Sequence, residues 1–123
     1  DCAKVDCRFS YYNTEMKLSQ QRCVPCEGGT PPMSNDAARD HLKELNQWSI
    51  EKNNIKKSFK FKDFREAMRF VNAVANIAEQ EGHHPDMTIS YNKVLLTLTT
   101  HAIGGLSRND FIVAAKIDEI PKE

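Results

Sequence analysis

The chain has 123 residues, enough for one domain and not for two. Its 17 lysines and arginines are matched by 17 aspartates and glutamates, so the net charge is zero. That balance excludes the broad basic surface of a nucleic-acid or anionic-membrane binder, and no apolar run is long enough to span a bilayer.

Residues 1–33 differ from the rest. They are rich in Cys, Ser, Gln, Gly and Pro, lack a sustained apolar period, and end in the breaker cluster Gly28-Gly29-Thr30-Pro31-Pro32. They read as an extended arm leading into a domain over 34–123, with Met16 a candidate native start. No charged segment followed by an apolar one opens the chain as a signal peptide would. All four cysteines, Cys2, Cys7, Cys23 and Cys26, lie in this arm. A disulfide-dependent fold spreads its cysteines through the body. The domain is therefore expected to fold without bridges in a reducing, cytoplasmic setting, an organelle remaining open if a targeting segment is removed. Cys23-Val24-Pro25-Cys26 invites a zinc site completed by Cys2 and Cys7, or a redox pair. The Cys2/Cys7 spacing is loose for a zinc knuckle, and no strand precedes the pair. The expectation is thiols in an ordered turn and no metal.

In the domain, Ser34 caps a helix with Asp36 in its first turn. Ala38, His41, Leu42 and Leu45 recur at helical spacing, which makes His41 a packing or surface residue. Trp48 to Asn53 begins a strand, Asn53-Asn54 turns the chain, and Ile55 to Asp63 returns with Phe59 and Phe61 on one face and lysines on the other. The lysine-rich run from Lys56 to Lys62 reads as a solvated strand edge. Asp63 caps the next helix, with Glu66 completing an acidic capping box. Phe64, Ala67, Met68, Val71, Val74, Ala75 and Ala78 form its apolar stripe, Phe70 and Ile77 widen it, and Gly82 ends it. Thr88–Tyr91 and Val94–Thr100 are alternating strands about an Asn92-Lys93 turn, with Val94, Leu96 and Leu98 facing the core. Gly104-Gly105 breaks the chain. Ser107 then caps a last helix with Asp110 in its first turn and Ile112, Val113, Lys116, Ile117 and Ile120 as its stripe. The order is helix, two strands, helix, two strands, helix. This predicts an α+β fold, a four-stranded antiparallel sheet with helices packed on one face. A folded part of about 90 residues buries only roughly 60% of its unfolded surface, a physical reason to expect self-association.

Three of the four histidines fall between Glu79 and Asp110. Glu79 and His83 are four apart at a helix end and are expected to share a face, the carboxylate orienting the imidazole. The carboxylate and the negative end of the helix dipole both favour the protonated ring. His101 ends the last strand, where the following loop can bring it back to His83. Asp110, at a helix start, can cap the helix or orient a ring. The expected site is an acid/base pair of imidazoles, a three-histidine metal site being disfavoured because the neighbours His83 and His84 point apart.

The run Glu79-x3-His83-His84-Pro85-x5-Tyr91-x9-His101-x8-Asp110 resembles the signature of the pterin-4a-carbinolamine dehydratases. The likeness covers roughly Cys23 to Ile120, including the turn Gly104-Gly105-Leu106-Ser107, and leaves residues 1–22 without support. It implies a hydro-lyase that dehydrates 4a-hydroxytetrahydropterin to the quinonoid dihydropterin in tetrahydropterin recycling, with no metal or organic cofactor. It implies catalytic His83 and His101 with Glu79 orienting, and a substrate site at His84, Pro85, Asp86, Tyr91 and Asp110. It further implies a homodimer or homotetramer with a pterin as its small-molecule partner, no membrane and no direct nucleic-acid contact. The alternative is a non-catalytic dimerisation or assembly scaffold on the same fold, because members of the family also serve as a dimerisation cofactor or an enzyme-assembly factor.

Overall fold

A computed structural model describes residues 17–23 and 31–121. Met16, Cys2, Cys7 and Cys26 lie outside the described residues. The elements run α1 (Asn35–Leu42), β1 (Ser49–Glu51), β2 (Asn54–Lys60), α2 (Phe64–Glu81), β3 (Asp86–Ser90), β4 (Lys93–Leu98) and α3 (Arg108–Asp118), with short 3₁₀ turns at Leu18–Gln20 and His101–Ile103. The four strands pair antiparallel in the order β1-β2-β4-β3. The expected α+β architecture is the observed one.

Local chemistry sets the helix ends. Ser34 accepts from the Ala37 N–H at 3.2 Å, and Asp63 accepts from the Glu66 N–H at 2.9 Å. Ser107 and Asp110 form a reciprocal capping box. Gly82 closes α2 in the left-handed region at φ 66°, its N–H donating to the Ala78 carbonyl. At Gly105 the constraint is space: a Cβ there would stand 2.7 Å from Pro32.

The core lies between the sheet and the helices. Ile55, Phe59, Val94, Leu96 and Leu98 project from the sheet onto Ala67, Phe70, Val71 and Val74 of α2 and onto α3. Phe59 and Phe61 both pack at a tilt against Phe70, with ring centroids 4.6 and 4.9 Å away. Phe64, placed by periodicity on the inner stripe, is instead 49% exposed. It is the first residue of α2. Phe111, not counted in the expected stripe of α3, is fully buried. That helix is covered nearly all round, Asn109 through Ala115 being buried without a break. A helix enclosed on every side carries no one-sided period. Part of its cover is the segment 17–23: Leu18 is 3% exposed and joins the same core.

Two expectations about the sheet need correction. The lysine-rich strand β2 is an interior strand, flanked by β1 and β4, and not an edge. Nor do all its lysines face water. Lys57 lies on the same face as Ile55 and Phe59 and is 6% exposed, its ammonium 2.8 Å from Asp118. Both hairpin turns also fall one residue earlier than predicted. Glu51 pairs with Asn54 and Ser90 with Lys93, so the turns are Lys52-Asn53 and Tyr91-Asn92. Lys52 and Tyr91 take the positive φ values, 55° and 52°. Asn92 is used elsewhere, bonding the Phe61 backbone through both its side-chain amide and its carbonyl.

His41 packs against Phe111, with ring centroids 5.4 Å apart. Burial, and then the Arg108 charge, lower its pKa from the usual 6.5. The folded ring thus resists a proton that the unfolded chain accepts. The stability contributed by the neutral ring is present above about pH 6.5 and is lost as pH falls through that value toward the folded pKa. Urea unfolding of wild type and His41→Gln at pH 7.5 and 5 should therefore show a smaller acid loss in the variant.

Candidate active site

The site forms where α2 runs out and β4 ends. Gly82 breaks the helical path, and the chain turns through His83 and His84 into β3. After Leu98 the chain closes a small loop, with an isolated bridge between Thr100 and Gly105 and a 3₁₀ turn beginning at His101. These two turns, the start of α3 and Cys23 enclose a cavity of about 460 Å³, within the roughly 300–1,000 Å³ usual for small-molecule sites. His83, His84 and His101 all line it. The convergence expected of His83 and His101 is present.

The carboxylate beside His83 is Asp110 and not the expected Glu79. His83 Nε2 is 2.6 Å from Oδ1 of Asp110, and Glu79 Oε2 is 2.6 Å from Nε2 of His84. Glu79 therefore does not orient His83. Four-residue spacing holds only while the helix continues, and the left-handed Gly82 rotates His83 off the face that carries Glu79. The Glu79–His84 pair is exposed on both sides, whereas His83 and Asp110 side chains are only 12% and 0% exposed.

Asp110 is held from three directions. Beyond His83, its Oδ2 accepts from the Thr100 hydroxyl and from the Ser107 N–H, each at 2.9 Å. A buried carboxylate needs this many donors. Against an ionised carboxylate, which only accepts, His83 donates from Nε2 and leaves Nδ1 to exchange protons. Pro85 is buried behind the turn, and Asp86 is exposed at the start of β3. Tyr91, 64% exposed, stands at the far end of the β3–β4 hairpin. None of these three lines the cavity.

A profile of the pterin 4 alpha carbinolamine dehydratases matches residues 31–120. The chain belongs to that family. A protein of Nitrosomonas eutropha, provisionally named a pterin-4-alpha-carbinolamine dehydratase, is 52% identical over 102 residues, covering 82% of this chain and 90% of the relative. A relative of the same provisional name from Alkaliphilus metalliredigens is 44% identical over 108 residues, 86% of this chain and 97% of its own. Among solved structures, a transcriptional coactivator/pterin dehydratase from Brucella melitensis superposes with a TM-score of 0.68 at 34% identity, over 71% of this chain and 95% of that one. A pterin dehydratase-like protein described as a RuBisCO assembly factor in the alpha-carboxysome shares the fold, with a TM-score of 0.50 at 21% identity, over 60% of this chain and 86% of its own.

Within this family fold, the sequence pattern missed several residues that line the cavity: Cys23, Glu81, Thr99, Thr100 and Asn109. Glu81 left a signal, since a carboxylate in the last turn of a helix opposes the helix dipole and needs a separate reason to be there. Its side chain is 4% exposed and accepts from the Cys23 N–H at 2.9 Å. Burial, and then the Glu81 charge, push the Cys23 thiol well above its usual range, while the thiol donates to the Asn109 carbonyl at 3.7 Å. A thiol held protonated is a poor redox nucleophile or metal ligand. No group of three or more metal-ligating side chains occurs among the described residues.

Proposed function

We propose that this protein dehydrates a 4a-hydroxytetrahydropterin to the quinonoid dihydropterin by histidine acid/base catalysis. The observation that carries the reading is the meeting of His83 and His101 on one cavity, in a chain of this family. Loss of the 4a-hydroxyl needs a proton on the departing oxygen while the N5 lone pair forms the new C4a–N5 double bond. Removal of the N5 proton then yields the neutral quinonoid ring and water. His101, exposed at the cavity rim, suits the acid on the 4a-oxygen. His83 suits the base, because the Asp110 carboxylate fixes its tautomer and stabilises positive charge on the ring once it takes a proton. His84, steadied by Glu79, flanks the pterin. The edge of the heterocycle meets the chain from Thr99 to Ala102, which lines the cavity beside the histidines.

The complete histidine set favours an enzyme over the scaffold reading, since a module that only binds another protein has no use for a buried His–Asp pair at a cavity. Purified protein should accelerate water loss from freshly generated carbinolamine, followed by stopped-flow absorbance. A rate equal to the buffer rate would overturn the proposal and favour the scaffold. The protein is further proposed to work as a homodimer or homotetramer. Support comes from the edge strands β1 and β3 and from the exposed Phe64, Ile89 and Tyr91. Its mass in solution checks this.

No helix among the described residues is long and apolar enough to cross a membrane.

A further inference from the structure

The segment 17–23 lies outside the expected domain, yet it supplies a wall of the histidine cavity. Several contacts hold it. Leu18 is buried in the core. The Lys116 ammonium donates to the Ser19 carbonyl at 2.8 Å. The Ser19 hydroxyl donates to Glu119 at 2.6 Å. At the cavity end, Glu81 gathers the Cys23 N–H at 2.9 Å, the Arg22 guanidinium at 3.1 Å and the Lys116 ammonium at 3.7 Å.

Glu81 is where the segment, α2 and α3 meet. It is the last residue of α2, directly before Gly82 and His83. Its carboxylate opposes the helix dipole and is buried, two costs that a surface glutamate would avoid. Both are offset only by the cations and the N–H that the segment and α3 bring to it. Cys23, held by that carboxylate, faces the cavity and rests its sulfur on the carbonyl of Asn109, the neighbour of Asp110. The segment therefore touches the supports of both ends of the His83–Asp110 pair.

We propose that Arg22 and Glu81 latch the segment Lys17–Cys23 onto the body so that Cys23 closes one wall of the histidine cavity, making the latch a determinant of substrate affinity and not of the chemical step. Glu81 and Arg22 are positioning residues. Neither donates or takes a proton in the reaction. The affinity part rests on the dehydratase reading. The closure of the wall does not.

The test uses the full, reduced chain. Arg22 is 55% exposed, so Arg22→Ala removes one side of the latch without opening the core. Glu81→Gln keeps the shape and an acceptor for the Cys23 N–H but loses the charge. Each variant should raise KM for the carbinolamine about tenfold with kcat within about twofold of wild type. Alkylation of Cys23 by N-ethylmaleimide, read residue by residue by mass spectrometry, should be slow in wild type and about tenfold faster in both variants, a change of the size expected when a half-buried thiol gains access and loses a neighbouring charge. A saturating tetrahydropterin should slow it in wild type. Unchanged KM in both variants overturns the affinity role, and unchanged alkylation overturns the latch. A KM rise matched by an equal loss of kcat overturns the division between binding and chemistry. If wild type itself shows no dehydratase activity, the functional reading fails, and the alkylation comparison still decides whether the latch exists.

Discussion

His83→Ala and His101→Ala should each lower kcat for carbinolamine dehydration by about 10²–10⁴-fold while leaving the fold intact. Both rings line the cavity, and neither is among the large core side chains, so their loss removes chemistry and little packing. Asp110→Asn should act through His83. Asparagine can still accept from Thr100 and from the Ser107 N–H, which keeps the start of α3, but it no longer enforces a proton on His83 Nε2. The expected loss in kcat is about 10²-fold or more, with a melting temperature near wild type. Because Asp110 is argued to work only through the ring it holds, His83→Ala combined with Asp110→Asn should be no slower than His83→Ala alone. Additive losses would show a separate role for Asp110. Glu79→Ala, in contrast, breaks an exposed pair and should change kcat little. A large effect at Glu79 together with a wild-type rate for Asp110→Asn would reverse the assignment of the carboxylates.

Asp118→Ala should destabilise the fold by about 3–5 kcal/mol, a large part of the roughly 5–15 kcal/mol that holds a domain together. Lys57 rises from the core face of β2, with its ammonium over the Phe59 ring at 4.8 Å and its side chain 4% exposed. Asp118 is its ion-pair partner at 2.8 Å. The same carboxylate accepts from the Trp48 indole N–H at 3.0 Å and from the Asn46 N–H at 3.2 Å. Removing it strands a buried cation and two donors together. Lys57→Met should cost much less, because Asp118 keeps its two N–H donors and is itself 14% exposed. Lys57→Met with Asp118→Asn should recover most of the loss. Urea unfolding of the three variants checks the order. A loss below about 1 kcal/mol in Asp118→Ala would mean that the ammonium finds water when its partner goes.

Strand alternation placed Val94, Leu96 and Leu98 inward, and capping residues located Ser34, Asp63, Gly82 and Ser107 at helix ends. Such signals act between near neighbours, so they survive in a linear reading. The spacing of His83, His101 and Asp110 also identified the family to which the chain belongs. Strict alternation puts Lys57 on the face of Ile55 and Phe59, and its residue type alone points to water; a lysine on that inner face is stable only with a partner, here 61 positions away.

The chain's own pattern determined the elements, their order and most of the sheet's inward face, because each depends on contacts within a turn or a strand pair. Only the tertiary structure decided which carboxylate serves which imidazole, that β2 lies inside the sheet, and that Arg22 and Cys23 reach Glu81 across 58 positions or more. The reason is geometric. A single left-handed residue, Gly82, ends the helical rule that would have joined Glu79 to His83, and beyond it the partners are set by which segments the core brings alongside.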